Sequence, residues 1–267
     1  MNQLVRVVPQ NIKEKILYTT TPDKIQILKT NGLATFYVSL KNVNNIESDG
    51  SLVFWTQYND SGAGIYCCDS GAMNQRQVYQ SSNYSEIHDI VLDEQNKQIY
   101  FIASKIKNGD IAGYYILKVD YDGNNFATLV TSSNAYMPHS IKLGGGYIFW
   151  CDSNGITEGF LMRCALNGSN VVELLVTSGH IKTIFVKDRD LYIGGIGLLA
   201  RTDFSGNKLT YLSTSGLSII NDIAIDRNDM YLCDIGINCI VKTDLNGNDP
   251  KRVTHDSIKR QSLCLVG

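Results

Sequence analysis

The sequence predicts an all-β fold, a six-bladed β-propeller of four-stranded antiparallel blades closed by a C-terminal strand that joins the N-terminal blade. Three observations predict it. A unit of about 43 residues recurs along the chain, and long-period self-similarity is the signature of repeat architectures. Within each unit apolar residues alternate with polar ones rather than following helical spacing. The 267 residues are rich in Tyr (15) and Gly (23) and contain only four Pro, a balance that favours strands and tight turns.

Each unit carries two markers. The first is an apolar-aromatic pair opening a strand, found at Leu17-Tyr18, Val53-Phe54, Ile99-Tyr100, Ile148-Phe149, Leu191-Tyr192 and Met230-Tyr231. The second follows a hairpin later and ends in a turn former and Gly: KVDYDG (Lys118 to Gly123), RCALNG (Arg163 to Gly168), RTDFSG (Arg201 to Gly206) and KTDLNG (Lys242 to Gly247), with shorter forms at Asn31-Gly32 and Ser70-Gly71. The glycine supplies the positive φ that a tight turn needs. A short β-rich outer strand follows the turn, as in FATLV, VVELLV and KLTYL. After a polar loop the next unit opens with an apolar inner strand, as in HDIVLD, HSIKL and NDIAID. This places blades near residues 14–39 with 261–266, 43–80, 87–131, 138–176, 181–212 and 220–254, in one domain over 1–267. The first unit lacks an inner strand and the chain ends with an unattached one, SLCLV, so that strand is expected to complete it and cover two edges. Residues 3–8 are expected either to compete for the same place or to lie against an outer edge.

Composition excludes several classes. With 24 Lys+Arg against 26 Asp+Glu and no run of like charges longer than two, there is no electrostatic footprint for nucleic acid. No apolar stretch reaches the roughly 20 residues of a membrane span. The start, MNQLVRVVPQNIKEK, has no apolar h-region, so no signal peptide is read and the cytoplasm is expected on that ground. Seven cysteines without C-x-x-C spacing are read as small buried hydrophobes; Cys151 with Cys164 and Cys233 with Cys239 flank hairpins and stay open as disulfides. No G-x-S-x-G, P-loop or H-E-x-x-H pattern occurs. The vicinal Cys67-Cys68 point to opposite faces of a strand, which disfavours pairing.

FWCD (Phe149 to Asp152) and YLCD (Tyr231 to Asp234), each followed by a basic-x-x-apolar-Asn-Gly turn, and FWTQ (Phe54 to Gln57), followed by the shorter Ser70-Gly71 form, resemble the YWTD repeats of low-density-lipoprotein-receptor propellers. The resemblance runs from about residue 14 to 266. YFIA, YIGG and YTTT depart from it by lacking the Asp, and the G-H and W-D pairs of WD40 repeats do not recur at blade spacing. The resemblance implies a propeller and an extracellular setting, against the cytoplasmic reading, so the compartment stays open. The blade-signature aromatics Phe54, Tyr100, Phe149, Trp150, Tyr192 and Tyr231 are expected between blades. Asp152 and Asp234 are expected to accept backbone N–H groups and bonds from a neighbouring blade, with the Lys or Arg before each turn as donor.

Aligning the inner-strand starts gives a polar ring at the mouth of a central channel: Asn44-Asn45, His88-Asp89, His139-Ser140, Lys182-Thr183, Asn221-Asp222 and Gln261-Ser262. Two of only four histidines fall at equivalent positions of adjacent blades. The ring is expected to bind a protein partner, or a glycan, without catalysis or cofactor, because loops on a rigid scaffold carry binding. The alternative is a hydrolase or lyase with Ca²⁺ or Zn²⁺ in the channel, held by Asn44, Asn221, Asp89 and Asp222 as hard ligands and His88 and His139 as softer ones. The Glu that resembling enzymes place at such a start is missing. Tyr58, Tyr79, Tyr84 and Tyr136 are expected in loops, exposed for stacking on a partner.

Overall fold

The computed structural model describes residues 16–21, 24–29, 34–39, 42–70, 73–107, 110–132, 136–155, 157–254 and 262–266, with side chains described from 42 to 254 apart from 106–111. Twenty-four strands run in order: β1 (Ile16–Thr21), β2 (Lys24–Lys29), β3 (Ala34–Ser39), β4 (Val43–Ser48), β5 (Leu52–Asn59), β6 (Gly62–Asp69), β7 (Arg76–Ser81), β8 (Glu86–Asp93), β9 (Gln98–Lys107), β10 (Asp110–Asp120), β11 (Ala127–Ser132) and β12 (Met137–Gly144). There follow β13 (Tyr147–Asn154), β14 (Glu158–Ala165), β15 (Val172–Thr177), β16 (Ile181–Lys187), β17 (Asp190–Gly195), β18 (Leu198–Asp203), β19 (Thr210–Tyr211), β20 (Ile220–Asp226), β21 (Asp229–Asp234), β22 (Cys239–Asp244), β23 (Lys251–Arg252) and β24 (Ser262–Val266).

The expected count of six like blades is corrected to five self-contained ones. These are β4–β7, β8–β11, β12–β15, β16–β19 and β20–β23, each one continuous run of four antiparallel strands. The remaining strands form a composite four-stranded sheet, β24-β1-β2-β3, drawn from both ends of the described chain; its side chains lie outside the described residues. β24 touches both β4 and β20, so this sheet stands between the first and last of the five blades. The expected competing segment at residues 3–8, the turn at Asn31-Gly32 and Gln261 lie outside the described residues.

Blades pack face to face because each sheet is apolar on both sides and cannot bury either face alone. The blade-signature aromatics fill those interfaces: Phe54, Phe149 and Trp150 are fully buried, and Tyr100, Tyr192 and Tyr231 nearly so. Four of them, Phe54, Tyr100, Phe149 and Tyr192, meet the apolar residue of the next blade's Gly turn. Phe54 lies 4.6 Å, centroid to centroid, from Tyr121 and Phe149 4.8 Å from Phe204, while Tyr100 shares a cluster with Leu166 and Tyr192 one with Leu245. The two repeat markers are thus the two halves of one contact, made across the blade boundary.

The turn glycines do a second job. In the pairing of third with fourth strand, Val78, Leu129 and Leu174 are each skipped by the ladder as a β-bulge. A Cβ on Gly123 would stand 2.5 Å from the Val78 carbonyl oxygen, and one on Gly206 2.5 Å from that of Leu174; Gly168 faces the Leu129 carbonyl in the same way. A bulge frees a carbonyl from the sheet, and in this ring that carbonyl abuts the next blade's turn at a point where only hydrogen fits. Arginine fastens the same turn: Arg76 Nη2 donates to the Tyr121 carbonyl (2.9 Å) and Arg163 Nη1 to that of Phe204 (2.8 Å).

The signature aspartates differ from expectation in their donors. Asp152 Oδ2 accepts the hydroxyl of Tyr114 from the preceding blade (2.8 Å), and that oxygen in turn accepts Trp150 Nε1 (3.2 Å). Asp234 stays within its own blade and entry loop, taking the backbone N–H groups of Ser218, Ile219, Gly236 and Ile237. Among the described residues no Lys or Arg reaches either carboxylate, because the turn basics are spent on carbonyls of the next blade or on partners in their own blade, such as Asp229 for Lys242. The six described cysteines are buried and stand outside any disulfide; Cys151 pairs in register with Leu161 and Cys233 with Ile240, so neither of the two bridges left open by the sequence forms. Burial pushes the Cys68 thiol up to about 12.

Two substitutions test this packing. Gly206→Ala is expected to cost roughly 2–4 kcal/mol, combining the strain of Ala at positive φ with the clash against Leu174. Gly146→Ala, at φ +84° with nothing within 4 Å, is expected to cost about 1 kcal/mol. Urea midpoints at unchanged m-value measure both, and equal costs would remove the carbonyl contact from the account. Tyr114→Phe, which strips Asp152 of its donor, is expected to cost about 1–3 kcal/mol by the same measurement.

Candidate binding site at the channel mouth

The five described inner strands, β4, β8, β12, β16 and β20, open at the same end of the ring, and each opens with a bulge. The ladder passes from Ile87 to Asp89, from Pro138 to Ser140, from Ile181 to Thr183 and from Ile220 to Asp222, skipping His88, His139, Lys182 and Asn221. In β4 it passes from Val43 to Ile46, skipping Asn44 and Asn45. Bulges re-aim side chains, and these five lie at one level of the ring. They gather the polar ring of the sequence around one cavity of about 200 Å³, lined by Asn44, Asn45, His88, Asp89, His139, Ser140, Lys182, Thr183, Asn221 and Asp222 together with Glu86, Met137 and Pro138.

The two polar positions of each start divide the labour. At the second position, Asp89 Oδ2 accepts Ser140 Oγ (2.9 Å) and the Ile141 N–H (2.8 Å) of the next blade, while its Oδ1 accepts the N–H of Ile90. Asp222 Oδ1 accepts the N–H of Ile223 (2.9 Å) and the hydroxyl of Thr183 (3.2 Å) from the preceding blade. These carboxylates are built into the wall. The bulged first position instead presents neutral or cationic groups. Burial pulls His88 down to about 4, and burial with the charges of His180 and Lys182 pulls His139 down to about 2, so both are neutral imidazoles at physiological pH. His139 Nε2 lies 2.7 Å from Nε2 of His180, one of them carrying the shared proton. His88 Nε2 bonds the Ser104 hydroxyl (2.8 Å). Burial also lowers Lys182.

Below the mouth, three consecutive blades meet on one ammonium. Lys142 of β12 lies 3.2 Å from Glu47 of β4 and 3.2 Å from Asp89 of β8. Burial alone would lower Lys142, but the charges of Asp89, Glu47 and Asp222 outweigh it and hold it above its usual range. Burial raises Glu47 to about 7 against the opposing pull of Lys142, with Asp89 and Asp222 adding to the rise. One cation therefore serves more carboxylates than it neutralises, and Glu47 keeps its proton until near neutrality.

Sequence reasoning missed His180, Glu86 and the Lys142–Glu47 pair. His180 stands one residue before its inner strand, outside the aligned starts; Lys142 and Glu47 lie deeper, where polar residues in alternating strands look like ordinary outward faces. Of the four aromatics expected exposed in loops, Tyr58 is exposed but on β5, Tyr84 is buried in the core, Tyr79 is half-buried on β7, and Tyr136 is half-buried and stacked on Phe160. Tyr84 and Tyr136 do lie in loops, as expected, but their rings pack on Tyr115 and Phe160 instead of standing free, and Tyr58 and Tyr79 fall on strands. Among the described residues no three His, Cys, Asp or Glu side chains converge where a metal ion would sit; the two wall aspartates of the metal reading are committed to N–H and O–H donors.

This ring of blades with a polar axial mouth is a β-propeller. No protein-family model matches the chain, and no curated protein does. Among solved structures the chain is similar to one in the crystal structure of a nidogen/laminin complex, with a TM-score of 0.80 over 94% of this chain and 98% of that one at 14% identity. At that identity the likeness carries the fold alone. No helix among the described residues is long and apolar enough to cross a membrane.

The pH dependence of Glu47 has a defined sign. Its folded pKa of about 7 stands above the ordinary 4.5, so its stabilising contribution is complete below about pH 4.5 and is lost as pH rises towards 7. Between pH 5 and 8 the wild type is expected to lose roughly 2–3 kcal/mol relative to Glu47→Gln, read from urea unfolding of both. Parallel stability curves would place the Glu47 proton elsewhere.

Proposed function

We propose that the chain is a non-enzymatic binding scaffold that holds a protein partner on its mouth face. The observation that carries this reading is the mouth's surround: Tyr58, Met137 and Ile196 are large, exposed apolar side chains at the end of the ring where the polar cavity opens. Apolar anchors around a polar centre make a recognition surface, and a rigid ring presents them with little ordering entropy lost on binding. The chemistry of the cavity supports the same reading: Asp89 and Asp222 are tied into the wall, and the hydroxyl that His88 meets, Ser104, is buried in its strand away from a substrate. The solved structure of similar fold comes from a protein complex, a use of a propeller that this reading extends to the present chain. The second reading, a hydrolase or lyase with a channel metal, loses Asp89 and Asp222 as ligands.

The test is quantitative co-purification with the wild type, with Met137→Asp/Ile196→Asp, and with Glu94→Lys on the opposite end. A partner retained by the wild type and Glu94→Lys and depleted at least about ten-fold by the mouth variant is expected. Equal retention by all three, or a stoichiometric channel metal with turnover, would overturn the reading.

A further inference from the structure

Within that face the cavity itself has a chemical preference. Lys182 is half-buried in the wall, yet among the described residues it makes no ion pair and no hydrogen bond. A half-buried ammonium without a counter-charge is costly, and the carboxylates that line the same cavity are poor candidates to supply one. Asp89 is shared among Ser140, Ile141 and Lys142, Asp222 is bonded to Thr183 and Ile223, and Glu86 is held by Asn44 Nδ2 at 3.0 Å. Lys182 is therefore the cavity's free position for an anion from outside.

The rest of the lining defines the anion. Glu86 lies on the β8 wall with 41% of its side chain exposed; it repels a second carboxylate but accepts hydroxyls. His139, with Nε2 taken by His180, has Nδ1 left for a ligand. Met137 and Pro138 supply an apolar patch on the rim of the kind that covers the C–H face of a ring. The volume of about 200 Å³ is below the roughly 300–1,000 Å³ of drug-sized sites, which limits the occupant to something near a monosaccharide. We propose that the mouth cavity binds a sugar acid, one carboxylate on a hydroxyl-bearing ring, with the carboxylate on Lys182 and the hydroxyls towards Glu86 and His139. A uronic acid at the end of a glycan offers the same groups as the free sugar.

This inference rests on the mouth being the binding face, and its test is independent of any macromolecular partner. Glucuronate, glucose and glutarate are titrated into the full chain by calorimetry and by NMR of side-chain signals. Saturable binding of glucuronate is expected, with glucose and glutarate each at least about ten-fold weaker, since each lacks one half of the recognition. Lys182→Met is expected to weaken glucuronate at least about ten-fold and Lys182→Arg to restore most of it; the thermal transitions of both variants report whether the ring is intact. An oligosaccharide ending in glucuronate that binds with the same Lys182 dependence assigns the glycan source, and binding by the free sugar alone assigns the small molecule. No glucuronate binding in either form, equal binding of glutarate, or indifference to Lys182→Met would overturn the proposal. If that happens while partner capture still depends on Met137 and Ile196, only the sugar-acid inference falls.

Discussion

Everything in this molecule depends on one constraint: a four-stranded sheet that is apolar on both faces has no stable existence by itself. Each blade must find a neighbour on either side, and the sequence meets that demand with a two-part contact. The aromatic of one blade receives the apolar residue of the next blade's turn, as Phe54 receives Tyr121 and Phe149 receives Phe204. Arginine and a bulged carbonyl then fix that turn in place. The contact is directional, from one blade to its successor, at all four boundaries between the five blades.

The same device, the β-bulge, is used at both margins of the sheet. At the outer margin it turns a carbonyl out of the ladder and against the next blade's glycine. At the inner margin it releases two side chains in β4 and one in each of the other four blades, where the following residue rejoins the ladder and ties blade to blade. Asp89 shows how close the two roles lie: it bonds Ser140 and Ile141 of the next blade and also carries part of the charge of Lys142. The mouth and the interblade seam are therefore one hydrogen-bonded structure, with His88 and His139 on its open side.

Much of this was legible in the sequence. The period, the strand alternation and the Gly turns gave the sheets, and the aligned strand starts gave ten of the residues around the cavity. What was not legible is long-range partner choice. Asp152 and Asp234 occupy the same place in the repeat, yet one takes a tyrosine hydroxyl across a blade boundary and the other takes four backbone N–H groups of its own blade; the difference lies in Tyr114, which no local pattern connects to Asp152. Glu47 and Lys142 are 95 residues apart in sequence and meet only because β4 and β12 flank β8. The blade count failed in its simple form because the strands at the two ends of the described chain share one sheet, whose packing cannot be read by analogy with the others.

The inner bulges have a consequence for how such a protein changes over generations. A residue skipped by the ladder contributes no register, so replacing it leaves the strand pairing of its own blade untouched. Its neighbour, one position on, is bound to two blades and tolerates little. Variation admitted at His88, His139, Lys182 and Asn221 and resisted at Asp89, Ser140, Thr183 and Asp222 would let one architecture explore many recognition chemistries while its mechanical frame stays constant.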